Sequence, residues 1–356
     1  MQFPLQIAVI ADDLTGALDS VVAFANVGLR CVVATAPSYL QRALDQQPEV
    51  ISVSTNSRDL SGTEAASVVE TAGQALQGVP IVFKKIDSRL KGNIASEVAA
   101  LVQVLGLDRA LICPAIPQMG RTVVNGLLQG FGVVSEVPVS QALAGGARLS
   151  VEAPDATTDS DIDEILAAVP AGTLLVGARG LSAGLARRME RLKPKPIELP
   201  LPQPIAFVIG SRDPITLAQV AHLRRSQPGA SYIAAPNGRT IGEPVVFEVA
   251  ILQATPCADL AAPETVTQEL AKSYVRSFAT RPACLVLAGG ETAAAILAAM
   301  GVGLLEVVGE ALPGMPLCRA LGFETGPLIV TKSGGFGAAD ALSLLAGCNS
   351  YLEAPR

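Results

Sequence analysis

The chain has 356 residues, half of them apolar and 16% charged, enough to bury a large core and, at this length, to suggest two domains. A formal net charge of -6, 4% aromatic residues and no tryptophan exclude a basic, base-stacking nucleic-acid surface. No apolar run reaches bilayer length, the start lacks a basic leader segment, and six scattered cysteines with a single histidine point to a cytoplasmic protein with reduced core thiols, no membrane partner and no zinc.

In chain order, "QIAVIA" reads as a strand, "ALDSVVAFANVG" as a helix closed by Gly28, and "CVVATA" and "EVISVST" as further strands. "SGTEAASVVETAGQAL" is a helix in which Ser61 and Glu64 have capping-box spacing. "VPIVFKKI" is a strand, "NIASEVAALVQVLG" a helix and "RALICPAI" a strand. Such alternation predicts a parallel sheet with helices on both faces, and ligands in these sheets bind beyond the carboxyl ends of the strands. Four polar loops follow strands and are expected to converge there: 11–16 "ADDLTG", 55–59 "TNSRD", 87–93 "DSRLKGN" and 114–122 "PAIPQMGRT".

The segment 192–204, "LKPKPIELPLPQP", carries five prolines and is the expected boundary, giving a domain over 1–198 and another over 199–356. Beyond it come "IAFVIGS", a helix from Pro214 that carries His222, the only histidine, then "SYIAAP", "PVVFEVAIL" and a helix near 264–277. "ACLVLAGGETAAAILAAMG" and "PLIVTKSGGFGAADALSLLAG" are two strand–turn–helix units.

Those two units carry glycines where the strand turns into the helix. Gly289 and Gly290, and Gly334 and Gly335 with Lys332 beside them, allow backbone amides to approach an anion and together suggest a polyphosphate cradle. Neither turn fits a P-loop, and neither has a dinucleotide fingerprint. In the first half, Lys84, Lys85, Arg89 and Lys91 crowd around Asp87 and Ser88 in an otherwise acidic chain. Strand alternation lets one of Lys84 and Lys85 enter the cleft. Arg89 and Lys91, with Arg58 and Arg121 from neighbouring loops, suit a small carboxylic acid. Asp12 and Asp13 suit hydrogen bonding to, or general-base work on, its hydroxyls. A basic cleft facing a polyphosphate cradle is what phosphoryl transfer requires.

The motifs "IADDLTGALD", "KKIDSRLKGN", "CPAIPQMGRTVVNG", "VIGSRDPIT", "LAGGET", "LPGMP" and "TKSGGFG", in this order, resemble those of the four-carbon acid sugar kinases over nearly the whole chain. The resemblance implies an α/β protein of two domains, each a mostly parallel sheet flanked by helices, with the active site in the cleft between them. It implies a sugar acid in the amino-terminal domain and Mg-ATP, hence ATP and Mg2+, in the carboxyl-terminal one, with phosphorylation of the terminal hydroxyl of threonate, erythronate or 3-oxo-tetronate. It places nucleotide contacts at Ser211, Gly289, Gly290, Glu291, Thr292, Gly334 and Gly335, and acid contacts at Asp12, Asp13, Arg58, Lys85, Asp87, Ser88, Arg89 and Lys91. The stretch after Gly126 lacks the family's usual polar pattern and its histidine, which leaves the acid's identity open. A non-catalytic binding or regulatory protein on the same fold stands as the alternative, and a homodimer is left open. Asp12 and Asp13 are the expected hydroxyl-binding pair, with Asp340 in reserve.

Overall fold

The computed structural model describes residues 4–143, 149–189, 197–259 and 261–347. They fall into two compact units, Met1–Pro194 and Lys195–Arg356. Residues 192–196 of the proline-rich segment expected at the boundary lie outside the described residues, as does Cys348.

In chain order the first unit contains β1 (Ile7–Ala11), α1 (Leu14–Ala25), β2 (Cys31–Ala34), α2 (Leu40–Leu44), β3 (Val50–Ser54), α3 (Gly62–Ala75), β4 (Ile81–Lys85), α4 (Ile94–Leu105), β5 (Arg109–Cys113), β6 (Arg121–Val124), β7 (Leu127–Gly130), β8 (Val137–Pro138), β9 (Ser150–Glu152), α5 (Asp159–Ala168), β10 (Thr173–Gly177) and α6 (Arg179–Arg187). Seven strands form a parallel sheet in the order β2-β3-β1-β4-β10-β5-β9, and β6-β7-β8 form a small antiparallel sheet. β1, β2 and β3 are buried along their whole length, as expected of strands covered on both faces. The capping box read at Ser61 and Glu64 is present at the start of α3.

The chain leaves β1 in one direction along the sheet, through α1 to β2, and crosses it in the other, through α3 from β3 to β4. Right-handed crossovers running in opposite directions put their helices on opposite faces. Accordingly α1 packs with α6 and α3 with α4. The reversal sits beside β1, which makes its carboxyl end the natural ligand crevice.

The second unit contains β11 (Ile205–Ile209), α7 (Pro214–Ser226), β12 (Ser231–Pro236), β13 (Val249–Thr255), α8 (Pro263–Ser277), β14 (Cys284–Ala288), α9 (Gly290–Ala299), β15 (Leu304–Leu312), β16 (Met315–Ala320), β17 (Leu328–Lys332) and α10 (Ala341–Leu345). Its strand order, β12-β13-β11-β14-β17-β16-β15, repeats the opening of the first unit: second, third, first, fourth. The reversal again falls at the unit's first strand, β11. α7 packs with α10, and α8 with α9. Phe207, Ile209, Val286, Val330, Leu342 and Leu345 are fully buried in its core, each contributing about 1.5–3 kcal/mol by leaving water.

The reading of the sheets as mostly parallel holds. The pattern missed the antiparallel hairpin β15–β16, whose strand β15 alternates buried and half-buried positions, and the β6–β8 sheet. It set the strand "PVVFEVAIL" too early, since β13 begins at Val249. Cys31, Cys113, Cys284 and Cys318 are buried thiols without disulfides, while Cys257 is exposed.

Candidate functional site

In the first unit, Ala11 at the end of β1 is level with Ser54 on β3 and Lys85 on β4, so three loops leave the sheet at one height. They meet at Arg58. Its Nε and Nη2 donate to both oxygens of Asp12, at 2.7 and 3.0 Å, and its Nη1 lies 2.9 Å from Asp13 Oδ2 and 4.0 Å from Asp87 Oδ2. One guanidinium thus serves a carboxylate from each side of its fork. The two aspartates are not equivalent. Asp12 has 3% of its side chain exposed and both oxygens committed to Arg58. Burial alone would raise its carboxyl, but Arg58, Lys84 and Lys85 outweigh that and hold it below the usual carboxylate range. Asp13 caps α1: Oδ1 accepts from the Gly16 amide at 2.7 Å, and Oδ2 accepts from Thr15 Oγ1 at 2.7 Å and from Arg58. Its side chain is 20% exposed. A carboxylate has about four lone-pair sites, and here three are filled.

Lys84 and Lys85 divide as strand alternation predicts. Lys84 is fully buried, 2.8 Å from Glu97 on α4, which also accepts a hydrogen bond from the Ser57 hydroxyl. Lys85 donates to the Ile86 carbonyl at 2.7 Å and lies against Gly16, where an added Cβ would be 2.8 Å from Nζ and 2.5 Å from Asp13 Oδ1. The 87–93 loop is a turn in which Asp87 Oδ1 accepts from the Arg89 amide, and Gly92 has φ +93° with Arg58 packed against it. Asn93 Nδ2 ties this loop to the carbonyls of Ser57 and Leu60. Arg121 is buried, with Nε and Nη2 on the Phe131 carbonyl and Nη1 on the Ser88 hydroxyl. Its guanidinium is shifted below its ordinary value by burial and by the like charge of Arg89. All four polar loops therefore converge. Arg89 and Lys91 are exposed and make no ion pair among the described residues.

In the second unit, Ile209, Ala288 and Lys332 are level across β11, β14 and β17. Their loops touch. A Cβ at Gly334 would lie 2.5 Å from Ser211 Oγ and 3.0 Å from Asp213 Cβ, and one at Gly289, where φ is +113°, would lie 3.4 Å from the Ser211 amide. Gly290 opens α9, with Glu291 exposed and Thr292 buried in its first turn. The backbone is thus bare where three strand ends meet a helix amino terminus, a setting that fits a phosphate. Lys332 is fully buried, and its Nζ donates to Thr216 Oγ1 at 2.8 Å and to the Ser333 and Gly334 carbonyls at 3.0 Å each. Burial pushes its ammonium down to about 8, against the pull of Asp213. Asp340 stands at the start of the five-residue α10. His222 is half-buried, with Nδ1 2.7 Å from Ser343 Oγ. Among the described residues, no cluster of three or more His, Cys, Asp or Glu could hold a metal, and no helix is long and apolar enough to cross a membrane.

Pattern reading missed Ser57, Glu97, Thr216 and Gln219. A signal existed for three of them. Glu97 sits on the helical stripe of Ile94, Val98 and Leu101, and Thr216 and Gln219 share the buried stripe of Val220 and Leu223. Polar residues on an apolar stripe need an internal partner.

Residues 7–144 match the model of a sugar-binding N-terminal domain, and residues 244–342 that of a nucleotide-binding C-terminal domain. The chain is similar to the D-threonate kinase of Bordetella bronchiseptica, with 30% identity over 94% of this chain and 95% of that one. It is similar to the 3-oxo-tetronate kinase of Burkholderia multivorans, with 27% identity over 93% and 94%. A solved structure of a Haemophilus influenzae protein shares the fold, with a TM-score of 0.69, 22% identity, and 96% of this chain and 99% of that one covered.

Proposed function

The chain belongs to the four-carbon acid sugar kinase family, and from that premise we propose that it transfers the γ-phosphoryl group of Mg-ATP to the terminal hydroxyl of a four-carbon sugar acid of the threonate, erythronate or 3-oxo-tetronate type. The observation that carries this reading is the chemical division between the units: one gathers cations and a reachable carboxylate at its strand ends, the other bare glycine backbone.

Bound Mg-ATP supplies an activated phosphoryl group with part of its charge neutralised by the metal. Ser211, Gly289, Gly290, Glu291, Thr292, Gly334 and Gly335 would hold it. Mg2+ would enter with the nucleotide, as an ion that commonly keeps phosphate oxygens and water among its ligands. Arg89 and Lys91, with Lys85 at the base of the loop, bind the acid's carboxylate. Arg121 supports them through Ser88 and the Phe131 carbonyl. Arg58 serves the site by holding Asp12 and Asp13 apart and oriented, and Asp12 is its buried counter-ion.

Asp13 then receives the acceptor hydroxyl at its remaining lone pair. As the hydroxyl oxygen forms its bond to the γ-phosphorus, the bond to the bridging oxygen breaks and ADP leaves with that electron pair. The hydroxyl proton passes to Asp13. Because the transition state is loose, this proton moves late, and orientation is the larger part of the role. Asp13→Asn should lower kcat at least about a hundredfold, within the usual 10²–10⁴ range for such a group, with Mg-ATP affinity nearly unchanged. The deciding experiment is ADP release measured over a panel of four-carbon acids with unaltered protein and Asp13→Asn. Thermal stabilisation by acid and nucleotide without ADP release would establish the binding-protein alternative instead.

A further inference from the structure

The turn after β17 is held from behind. Lys332 Nζ binds the carbonyls of Ser333 and Gly334, and Thr216 Oγ1 donates to Gly334 as well, at 2.7 Å. Gln219 Nε2, on the buried face of α7, donates to three more carbonyls, those of Phe336, Gly337 and Ala338, at 3.0, 3.1 and 2.8 Å. Five carbonyls of one short loop therefore face inward. A trans peptide is planar, with its N–H opposite its C=O. The amides of Gly334, Gly335, Gly337, Ala338 and Ala339 are thereby turned to the other side. None of these five donates to another group among the described residues, and residues 337–339 are exposed. A row of outward amides is a concavity for an anion.

We infer that Gln219, Lys332 and Thr216 are positioning residues that orient the amides of Gly334, Gly335, Gly337, Ala338 and Ala339 toward the nucleotide phosphates, and that none of the three side chains touches phosphate. The inference rests on the nucleotide reading of this turn and assigns Lys332 a place behind the cradle, where the sequence had placed it at the cradle itself. Lys332 has no proton left for a ligand, since three acceptors take its three donors. Gln219 is fully buried, its Oε1 has no hydrogen-bond partner, and its side chain is committed to the loop through Nε2 alone. Gln219→Met keeps length and apolar stem and removes only that grip. Thr216→Val is isosteric and takes one acceptor from Lys332 and one donor from Gly334.

The test is calorimetric titration of the full chain with Mg-ATP and with adenosine, beside melting curves. Gln219→Met should weaken Mg-ATP binding tenfold or more and Thr216→Val severalfold, while adenosine binds as before, because only the phosphate-bearing ligand uses the amides. A folded Gln219→Met protein that binds Mg-ATP within threefold of the unaltered chain overturns the inference alone. So does an equal loss of adenosine, which would mark general damage to the site. If Gln219→Met does not fold, Thr216→Val decides by the same two criteria. Failure of the unaltered chain to bind Mg-ATP overturns the nucleotide reading and this inference together.

Discussion

Replacing Glu97 by alanine should destabilise the first unit severely, although the residue touches no ligand. Lys84 and Glu97 are 2.8 Å apart with 0% and 1% of their side chains exposed. At an effective dielectric of about 20 their attraction is roughly 6 kcal/mol, of which the desolvation of two ions consumes a large part. The pair is therefore worth little over an apolar pair of the same volume. Removing one partner is a different matter, because Lys84 stays buried without the carboxylate in contact with it, at a cost of about 3–5 kcal/mol. For a unit of this size each kcal/mol moves the melting midpoint by about 2–4 °C, so the Glu97→Ala transition should fall by roughly 6–20 °C. The assay is scanning calorimetry of the full chain carrying Glu97→Ala, Lys84→Met, or Lys84→Met with Glu97→Leu. The double variant should recover most of the loss of either single one. If the two single losses simply add in the double variant, the buried pair is not coupled and the reasoning fails.

Gly335→Ala should fold normally, since its Cβ meets only Asp213 Oδ2 at 3.5 Å, yet weaken Mg-ATP binding by crowding the phosphates; unchanged affinity would take this glycine out of the nucleotide site. Arg89→Ala should raise KM for the acid about ten- to a hundredfold, the worth of a charged hydrogen bond of roughly 1.5–3 kcal/mol, with little change in kcat. A fall in kcat alone would reassign Arg89 to the transferring phosphoryl group. Asp12 carries a pH prediction. Its carboxyl lies lower in the folded protein than in the unfolded chain, so between those two values the unfolded state binds more protons and stability rises with pH. The contribution is complete above the ordinary aspartate value of about 4 and is lost as pH falls through the folded one. Urea unfolding at pH 7 should show Asp12→Asn to be less stable, and the variant should lose less on acidification; parallel acid limbs would refute this.

Much of the fold was legible because buried parallel strands are short apolar runs and their connections end in caps that follow simple rules, as at Ser61 and Gly106. The loops that matter were legible because polar residues after a buried strand have no other reason to be there. The β15–β16 hairpin was not, since in the nine residues LLEVVGEAL of β15 the two glutamates stand four apart, a spacing that suits a helix face as well as a strand face. The identity of partners inside the site was the larger gap. Arg58 reads as a substrate cation until register shows Asp12, Asp13 and Asp87 around it, and Lys332 reads as a phosphate ligand until its three acceptors are seen. Sequence spacing reports which element a charge sits on, whereas what neutralises it depends on contacts tens of residues away, such as the 46 between Arg58 and Asp12.

The shared use of Arg58 bears on how this protein could be altered. Its fork joins the loops 11–16, 55–59 and 87–93 into one ion-paired block, so a replacement segment that lacks its own member of the set would leave a carboxylate or the guanidinium unmatched. The 114–122 segment is attached differently, through Arg121 to a hydroxyl and to a carbonyl of its own hairpin. The site is therefore modular in one part only. Three loops would have to be exchanged together, while a β6–β8 hairpin that keeps Arg121 for Ser88, and the amides of Asn125 and Gly126 for Asp155, can be exchanged without disturbing the Arg58 ion pairs.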